Sequence, residues 1–160
     1  MTKLLSKIRK ISSSADACRG KFVQFNNGSS TSSGILCAPP NPQSPTAVWY
    51  FRFSPSWSLI SDIDMTRSSC LQWDDTEFEI EFNKPVTERS ASFPAGCVGL
   101  FGATIVALSH PGSQYDLTTG EVTHFSNYEV EWFQHWKIIE RIGNQQNVLF
   151  DSAELWAAKR

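Results

Sequence analysis

The chain has 160 residues, of which 41% are hydrophobic and 19% are charged. This length is typical of one domain with its own hydrophobic core, and this composition excludes an intrinsically disordered protein. The net charge of −2 argues against a body that coats nucleic acid over its whole surface.

Positive charge is concentrated at the front of the chain. Residues 1–21 contain six basic residues and one acid, whereas the other 139 residues contain eight basic and fifteen acidic residues. Contact with an anionic membrane or another polyanion is therefore expected to run through the front segment. The predicted membrane- or polyanion-binding residues are Lys3, Lys7, Arg9, Lys10, Arg19 and Lys21.

Residues 1–25 are interpreted as a basic amphipathic N-terminal segment. Over residues 2–15, Leu4, Ile8 and Ile11 follow helical spacing, which predicts a short helix with lysines on the adjacent stripe. A basic amphipathic helix can lie in a membrane interface or bind RNA phosphates. It can also be a solvated end or dock on the body, and the sequence leaves these alternatives open.

Residues 26–46 are predicted to be a linker. Their first part, 26–34, is rich in Asn, Gly, Ser and Thr, and four prolines follow within residues 39–45. The first composition is typical of flexible chain and the second of stiff, extended chain. The globular body is then predicted to cover residues 47–160.

The body shows the alternation of β-strands. In residues 77–82, Phe78, Ile80 and Phe82 alternate with three glutamates, and residues 127–132 alternate in the same way. Further strands are predicted at 48–53, 98–108 and 148–150, while 136–142 fits a strand or a helix. A short C-terminal helix is predicted over 151–160, with Asp151 as N-cap. Together these elements predict a mainly β fold, an antiparallel sandwich or jelly-roll-like domain.

The four cysteines are predicted to be reduced, mostly packed thiols. Cys18, Cys37, Cys70 and Cys97 show no C-x-x-C spacing, and the front of the chain lacks the apolar run of a secretory signal. No apolar stretch is long enough to cross a bilayer. The expected location is cytoplasmic and peripheral to membrane.

No arrangement of residues points to catalysis, so the protein is predicted not to be an enzyme and to need no cofactor or metal. His110, His124 and His135 lack metal-ligand spacing, and the surroundings of Cys97 are those of an inert thiol. The glutamates of 77–81 are interpreted as the solvated face of a strand. The six tryptophans are interpreted as core, with a sugar- or base-stacking platform as the alternative.

The basic start MTKLLSKIRK, the proline-containing linker and the β-rich body resemble the layout of rhabdovirus matrix proteins. Residues 45–48 match the first three positions of the P-[ST]-A-P budding motif, and residues 148–152 are similar in character to that family's ending. The resemblance implies a virion protein that self-associates as a homo-oligomer and joins anionic membrane to nucleocapsid. It implies no small-molecule substrate.

A second resemblance lies in residues 120–132, which look like the last strands of plant-virus jelly-roll coat proteins. That resemblance implies a coat or movement protein that binds nucleic acid through its N-terminal segment. A ligand- or carbohydrate-binding β-sandwich module with exposed tryptophans is the third alternative. The preferred hypothesis is a non-enzymatic, matrix-type structural protein.

Overall fold

The computed structural model describes residues 8–11, 17–26, 28–40, 48–60, 69–86, 96–109, 113–126 and 129–157. Within these ranges the chain forms fourteen β-strands and one short α-helix. In chain order they are β1 (Ile8–Ile11), β2 (Phe22–Asn26), β3 (Thr31–Cys37), β4 (Trp49–Ser54), β5 (Ser58–Ile60), β6 (Ser69–Trp73), β7 (Glu77–Ile80), β8 (Val98–Phe101), β9 (Thr104–Leu108), β10 (Gln114–Asp116), β11 (Val122–Thr123), β12 (Glu131–Phe133), β13 (Trp136–Ile142), β14 (Gln145–Asp151) and α1 (Ala153–Ala157).

The strands form three sheets, and every described pairing is antiparallel. The six-stranded sheet has the order β1-β6-β2-β3-β4-β5, the five-stranded sheet β11-β10-β9-β8-β12, and the three-stranded sheet β14-β13-β7. The prediction of a mainly β, antiparallel fold is confirmed.

The main core lies between one face of the six-stranded sheet and residues of the other two sheets. Side chains alternate along a strand, so Phe22 and Phe51 face this core while their neighbours Val23 and Tyr50 belong to a second cluster on the opposite face. Trp136 lies in the middle of the main core and is 2% exposed. Side chains on both faces of the inner strands β2, β3 and β4 are therefore buried.

The N-terminal helix predicted over residues 2–15 is wrong for the part that the structure describes. Ile8–Ile11 is strand β1, which pairs with β6 so that Ile11 lies opposite Cys70. An isolated helix this short is only marginally stable in water. Pairing with β6 gives residues 8–11 backbone hydrogen bonds to a neighbouring strand instead. Residues 2–7 and 12–15 of the predicted helix lie outside the described residues.

The linker predicted over residues 26–46 is also corrected. Thr31–Cys37 is β3, an interior strand of the six-stranded sheet, held between β2 and β4. Gly34 lies against the backbone carbonyl of Phe51, where any Cβ would clash, so the glycine that suggested flexibility is required by close packing. Residues 41–47 lie outside the described ranges.

The single strand predicted over 98–108 is a hairpin of β8 and β9. Gly102 has φ 59° in its turn, a conformation that glycine adopts without a steric cost. The strand predicted over 77–82 is confirmed as β7, but it ends at Ile80. Phe82 lies beyond it and is 66% exposed.

The remaining predictions are confirmed with shifted bounds. The strand predicted over 48–53 is β4, residues 136–142 form β13 rather than a helix, and 148–150 lie in the longer β14. The strand predicted over 127–132 is confirmed only at its end, by β12, and residues 127–128 lie outside the described ranges. Asp151 caps α1, because its Oδ1 accepts a hydrogen bond from the Ala153 amide at 2.9 Å.

Candidate functional site

Three of the six predicted basic residues, Lys10, Arg19 and Lys21, have side chains that the structure describes. Arg19 donates from Nη1 to Glu121 Oε1 at 2.9 Å, and Lys21 Nζ donates to the Asp74 carbonyl at 2.7 Å. Both side chains therefore contact the body, and their binding to a membrane or polyanion stays a prediction. Lys3 and Lys7 lie outside the described residues, and of Arg9 only the backbone, in β1, is described.

Lys10 is the one predicted residue whose side chain is both described and free of the body. It is exposed on β1, the outermost strand of the six-stranded sheet. Among the carboxylates in the described ranges, none lies within ion-pair distance of it. Ile8, on the same side of the strand, is 40% exposed, so an apolar and a cationic side chain reach solvent together at this edge.

A groove of about 980 Å³ lies between the end of β3 and the outer edge of β11. The Arg19–Glu121 ion pair lies at its border, and Pro39 and Pro40 form part of one wall. Sequence analysis missed this groove, because its walls come from segments far apart in the chain. Its lining residues are Arg19, Ala38, Pro39, Pro40, Leu108, Ser113, Gln114, Glu121, Val122, Thr123, His124, Phe125 and Ser126.

Gln114 extends the β10–β11 ladder with its side chain. It is 6% exposed, and its Oε1 accepts hydrogen bonds from the Phe125 amide at 2.8 Å and the Thr123 hydroxyl at 2.8 Å. Its Nε2 donates to the Phe125 carbonyl at 3.4 Å. The buried Gln114 amide thus hydrogen-bonds to both the N–H and the C=O of Phe125, as the backbone of a further strand residue would. It keeps residues 122–125 extended along the groove.

The backbone of Val122 and His124 is directed toward the open side of this edge. Hydrogen-bonded and non-hydrogen-bonded pairs alternate along an antiparallel ladder. The Asp116 amide donates to the Glu121 carbonyl at 2.9 Å, so the next pair, Tyr115 and Val122, is not hydrogen-bonded, and the N–H and C=O of Val122 point away from β10. The alternation continues to Phe125, whose amide points back to Gln114. The N–H and C=O groups of residues 122 and 124 can therefore bind an added extended chain.

The two buried thiols with a raised pKa, Cys37 and Cys70, are not among the residues that line the groove. Cys37, at the end of β3, is 5% exposed, and burial raises the pKa of its thiol to about 12, although the nearby Arg19 guanidinium lowers it. Burial likewise raises the pKa of the Cys70 thiol to about 12. A thiol that keeps its proton at neutral pH is a weak nucleophile. None of the four cysteines forms a disulfide, and Cys18 alone among them is exposed, so three of the thiols are packed as predicted.

The glutamates of β7 lie on the solvated face, as predicted. Glu77 Oε2 accepts from Arg141 Nε at 2.8 Å, and Glu79 Oε2 accepts from Gln146 Nε2 at 3.2 Å. These contacts link β7 to β13 and β14 across the surface of the three-stranded sheet. In the described ranges no group of three or more His, Cys, Asp or Glu side chains is arranged to hold a metal ion.

The six tryptophans lie in the core or pack against it, as predicted, while a sugar- or base-stacking role stays a prediction. Trp73, Trp132 and Trp136 are buried, and Trp49, Trp57 and Trp156 are half-buried. Trp57 stacks on Phe53 with ring centroids 5.4 Å apart and donates from Nε1 to the Leu108 carbonyl at 2.9 Å.

None of the helices in the described ranges has the length and apolar character needed to cross a membrane. Comparison with protein-family models, with curated proteins and with solved structures finds no match to this chain.

Proposed function

We propose that the protein is a non-enzymatic, self-associating structural protein of matrix type that binds an anionic membrane surface through residues 3–10. This β-sandwich would present its basic front to the membrane and its acidic body away from it. The proposal rests on charge placement. The linker that was part of the matrix-type layout is partly occupied by β3 and lends no support.

The observation that carries the proposal is the exposed Lys10 on the outermost strand, next to the exposed Ile8. Residues 1–10 contain four basic residues and no acid, whereas the rest of the chain has ten basic and sixteen acidic residues. Near an anionic membrane each basic residue contributes about 1 kcal/mol, and the same membrane repels the acidic body. The two effects favour one orientation of the protein on the membrane.

Vesicle flotation tests the proposal with a charge-matched pair of variants. We expect recovery with phosphatidylserine vesicles and not with phosphatidylcholine vesicles, falling as salt is raised. Lys7→Glu with Lys10→Glu should lower the partition coefficient at least about 30-fold, because two contributions of about 1 kcal/mol are lost. Lys84→Glu with Lys137→Glu alters the net charge equally on the body, at side chains 60% and 39% exposed, and should have a much smaller effect.

Two outcomes contradict the membrane proposal. Equal recovery with both vesicle types would show that charge is not what binds the protein. Equal losses in the two double variants would show that net charge matters and its position does not. Salt-dependent binding of RNA without any vesicle binding would instead favour the coat or movement protein.

A second candidate function, binding of an extended peptide in the groove, is favoured by the outward backbone of Val122 and His124. Selection from a displayed peptide library should enrich sequences that bind the wild-type protein. His124→Pro removes one backbone donor from the edge and should abolish this binding, whereas His124→Ala keeps the donor and should preserve it. Equal binding by both variants would rule out strand addition.

A further inference from the structure

The three sheets leave six edge strands among those described, and most of them are protected against pairing with another chain. Strands β5 and β12 have three residues each, and β11 has two, although the Gln114 side chain extends the β11 edge to Phe125. Strand β1 carries Arg9 and Lys10, and β7 carries Glu77 and Glu79. Short length and like charges are the features by which natural sheets prevent edge-to-edge association.

Strand β14 lacks both forms of protection. It has seven residues, and it pairs on one side with β13, from Ile142 opposite Gln145 to Lys137 opposite Asp151. Its first charged side chain is Asp151, at the far end. A register irregularity at Leu149 limits the regular part of the edge to residues 145–148.

The regular part of β14 is open to solvent on both faces. Gln145, Gln146, Asn147 and Val148 are all exposed, and Val148 is 50% exposed although it is apolar. Successive side chains on a strand point to opposite faces, so four consecutive exposed residues show that neither face of this stretch is covered. The edge is accessible to a second chain.

From this comparison we propose that β14 is the surface through which two copies of the chain associate, by antiparallel pairing of β14 with β14 of the second copy. The pair would join the two three-stranded sheets into one continuous six-stranded sheet. The inference names the surface for the self-association in the proposed function and rests on that function for its role.

The charges on the edge strands favour β14 over β7 and β1 as the edge at which two copies pair. The chain has a net charge of −2, and two copies that met through β7 or β1 would place glutamates against glutamates or cations against cations. Near β14, Lys137 pairs with Asp151 and Arg141 with Glu77, while the Glu79 carboxylate accepts a hydrogen bond from Gln146 Nε2. Glutamine and asparagine amides both donate and accept hydrogen bonds, so the amides of Gln145 and Asn147 are complementary to those of a second copy.

The symmetry of the pairing is consistent with this choice. Two identical strands that pair antiparallel are related by a two-fold axis perpendicular to the sheet, so both copies contribute the same surface. The residue beside the axis lies opposite the same residue of the second copy. An axis beside Gln146 places Gln145 opposite Asn147 of the second copy. An axis beside Asn147 places Gln146 opposite Val148. Neither register brings like charges together.

The contact is small, so the dimer should be weak in solution. A four-residue edge buries much less than the roughly 1,600 Å² of a standard stable interface. Self-association is therefore expected to depend steeply on concentration. Confinement to a membrane would raise the effective concentration and favour it.

Sedimentation equilibrium of the full chain, without vesicles, tests the proposal. We expect a monomer–dimer equilibrium in the wild type and a dissociation constant at least tenfold higher in Val148→Lys, which places a cation on the edge of each copy. Gln145→Lys should give the same loss at a second exposed position. Phe82→Lys is the matched control, because it changes another exposed apolar residue to lysine away from β14 and should leave the constant unchanged.

Circular dichroism establishes that each variant is folded before its dissociation constant is compared. A wild type that stays monomeric at every concentration overturns the proposal, as does an equal loss of dimer in Phe82→Lys and Val148→Lys. Vesicle flotation of Val148→Lys separates this proposal from the membrane proposal. Monomeric variants that still bind phosphatidylserine vesicles would show that the two surfaces are independent.

Discussion

The two buried tryptophans Trp136 and Trp73 should respond very differently to replacement by phenylalanine. Trp136 is 2% exposed and its Nε1 donates to the Gly96 carbonyl at 2.8 Å. Trp73 is 6% exposed, and no atom of the described residues accepts a hydrogen bond from its Nε1. Each replacement removes the same atoms from the same core cluster. The difference between the two therefore isolates the hydrogen bond.

The magnitudes follow from these contacts. Each Trp→Phe change loses packing of about 1–2 kcal/mol, on the scale of other large-to-small core substitutions. Trp136→Phe also loses a hydrogen bond of about 1 kcal/mol and leaves a buried carbonyl unpaired at a cost of about 1 kcal/mol or more. Trp73→Phe instead removes a buried unpaired donor, whose burial costs about 1–3 kcal/mol. We expect a loss of about 3–4 kcal/mol for Trp136→Phe and about 1 kcal/mol or less for Trp73→Phe.

Urea unfolding followed by circular dichroism measures both changes without relying on tryptophan fluorescence. If the m-value stays constant, the shift in midpoint reports the change in the free energy of unfolding. A Trp73→Phe variant that loses as much stability as Trp136→Phe would refute the reasoning. Packing alone, and not the indole hydrogen bond, would then decide the stability of this core.

Three further predictions concern the core, the groove and pH. Gly99→Ala would place a methyl group against Val130 Cγ1, and we expect a loss of about 1–3 kcal/mol in urea unfolding; an unchanged midpoint would contradict this. Gln114→Leu removes the acceptor for the Phe125 amide, so hydrogen exchange of that amide should accelerate at least about tenfold, and an unchanged rate would show that the clamp is unimportant. Burial raises the pKa of the Cys37 thiol from 9.0 to about 12. Above about pH 9 the unfolded chain releases from Cys37 a proton that the folded chain keeps, so this thiol should lower the stability by about 1.4 kcal/mol per pH unit. Because burial raises the pKa of the Cys70 thiol in the same way, Cys37→Ala should reduce the slope measured by urea unfolding without abolishing it.

The sequence predicted best those strands whose own alternation identifies them. In residues 77–80 the alternating glutamates and apolar residues predicted both β7 and its solvated face. The aromatic run at 49–54 predicted β4, and Asp151 predicted the start of α1. These features depend on neighbours within a few residues, which is the range over which periodicity and capping act.

The sequence misled where a distant partner decides the local structure. Ile8 and Ile11 have helical spacing, but β6 holds them in a strand. The Ser- and Gly-rich stretch around residues 31–34 looks flexible, but pairing with β2 and β4 makes it an interior strand. A strand takes its hydrogen bonds from another strand, so its own composition is a weak guide when both neighbours are far away in the chain.

The sequence by itself determined the antiparallel β character of the protein, the packing of its tryptophans in the core and the concentration of positive charge in the first ten residues. Only the tertiary structure decided which charges are free. Arg19 finds Glu121 at a separation of 102 residues, whereas Lys10 reaches solvent on β1. Only the tertiary structure leaves β14 as a long, neutral and open edge. Composition and periodicity are properties of neighbouring residues, but ion pairs and sheet edges are set by the order in which distant segments pack.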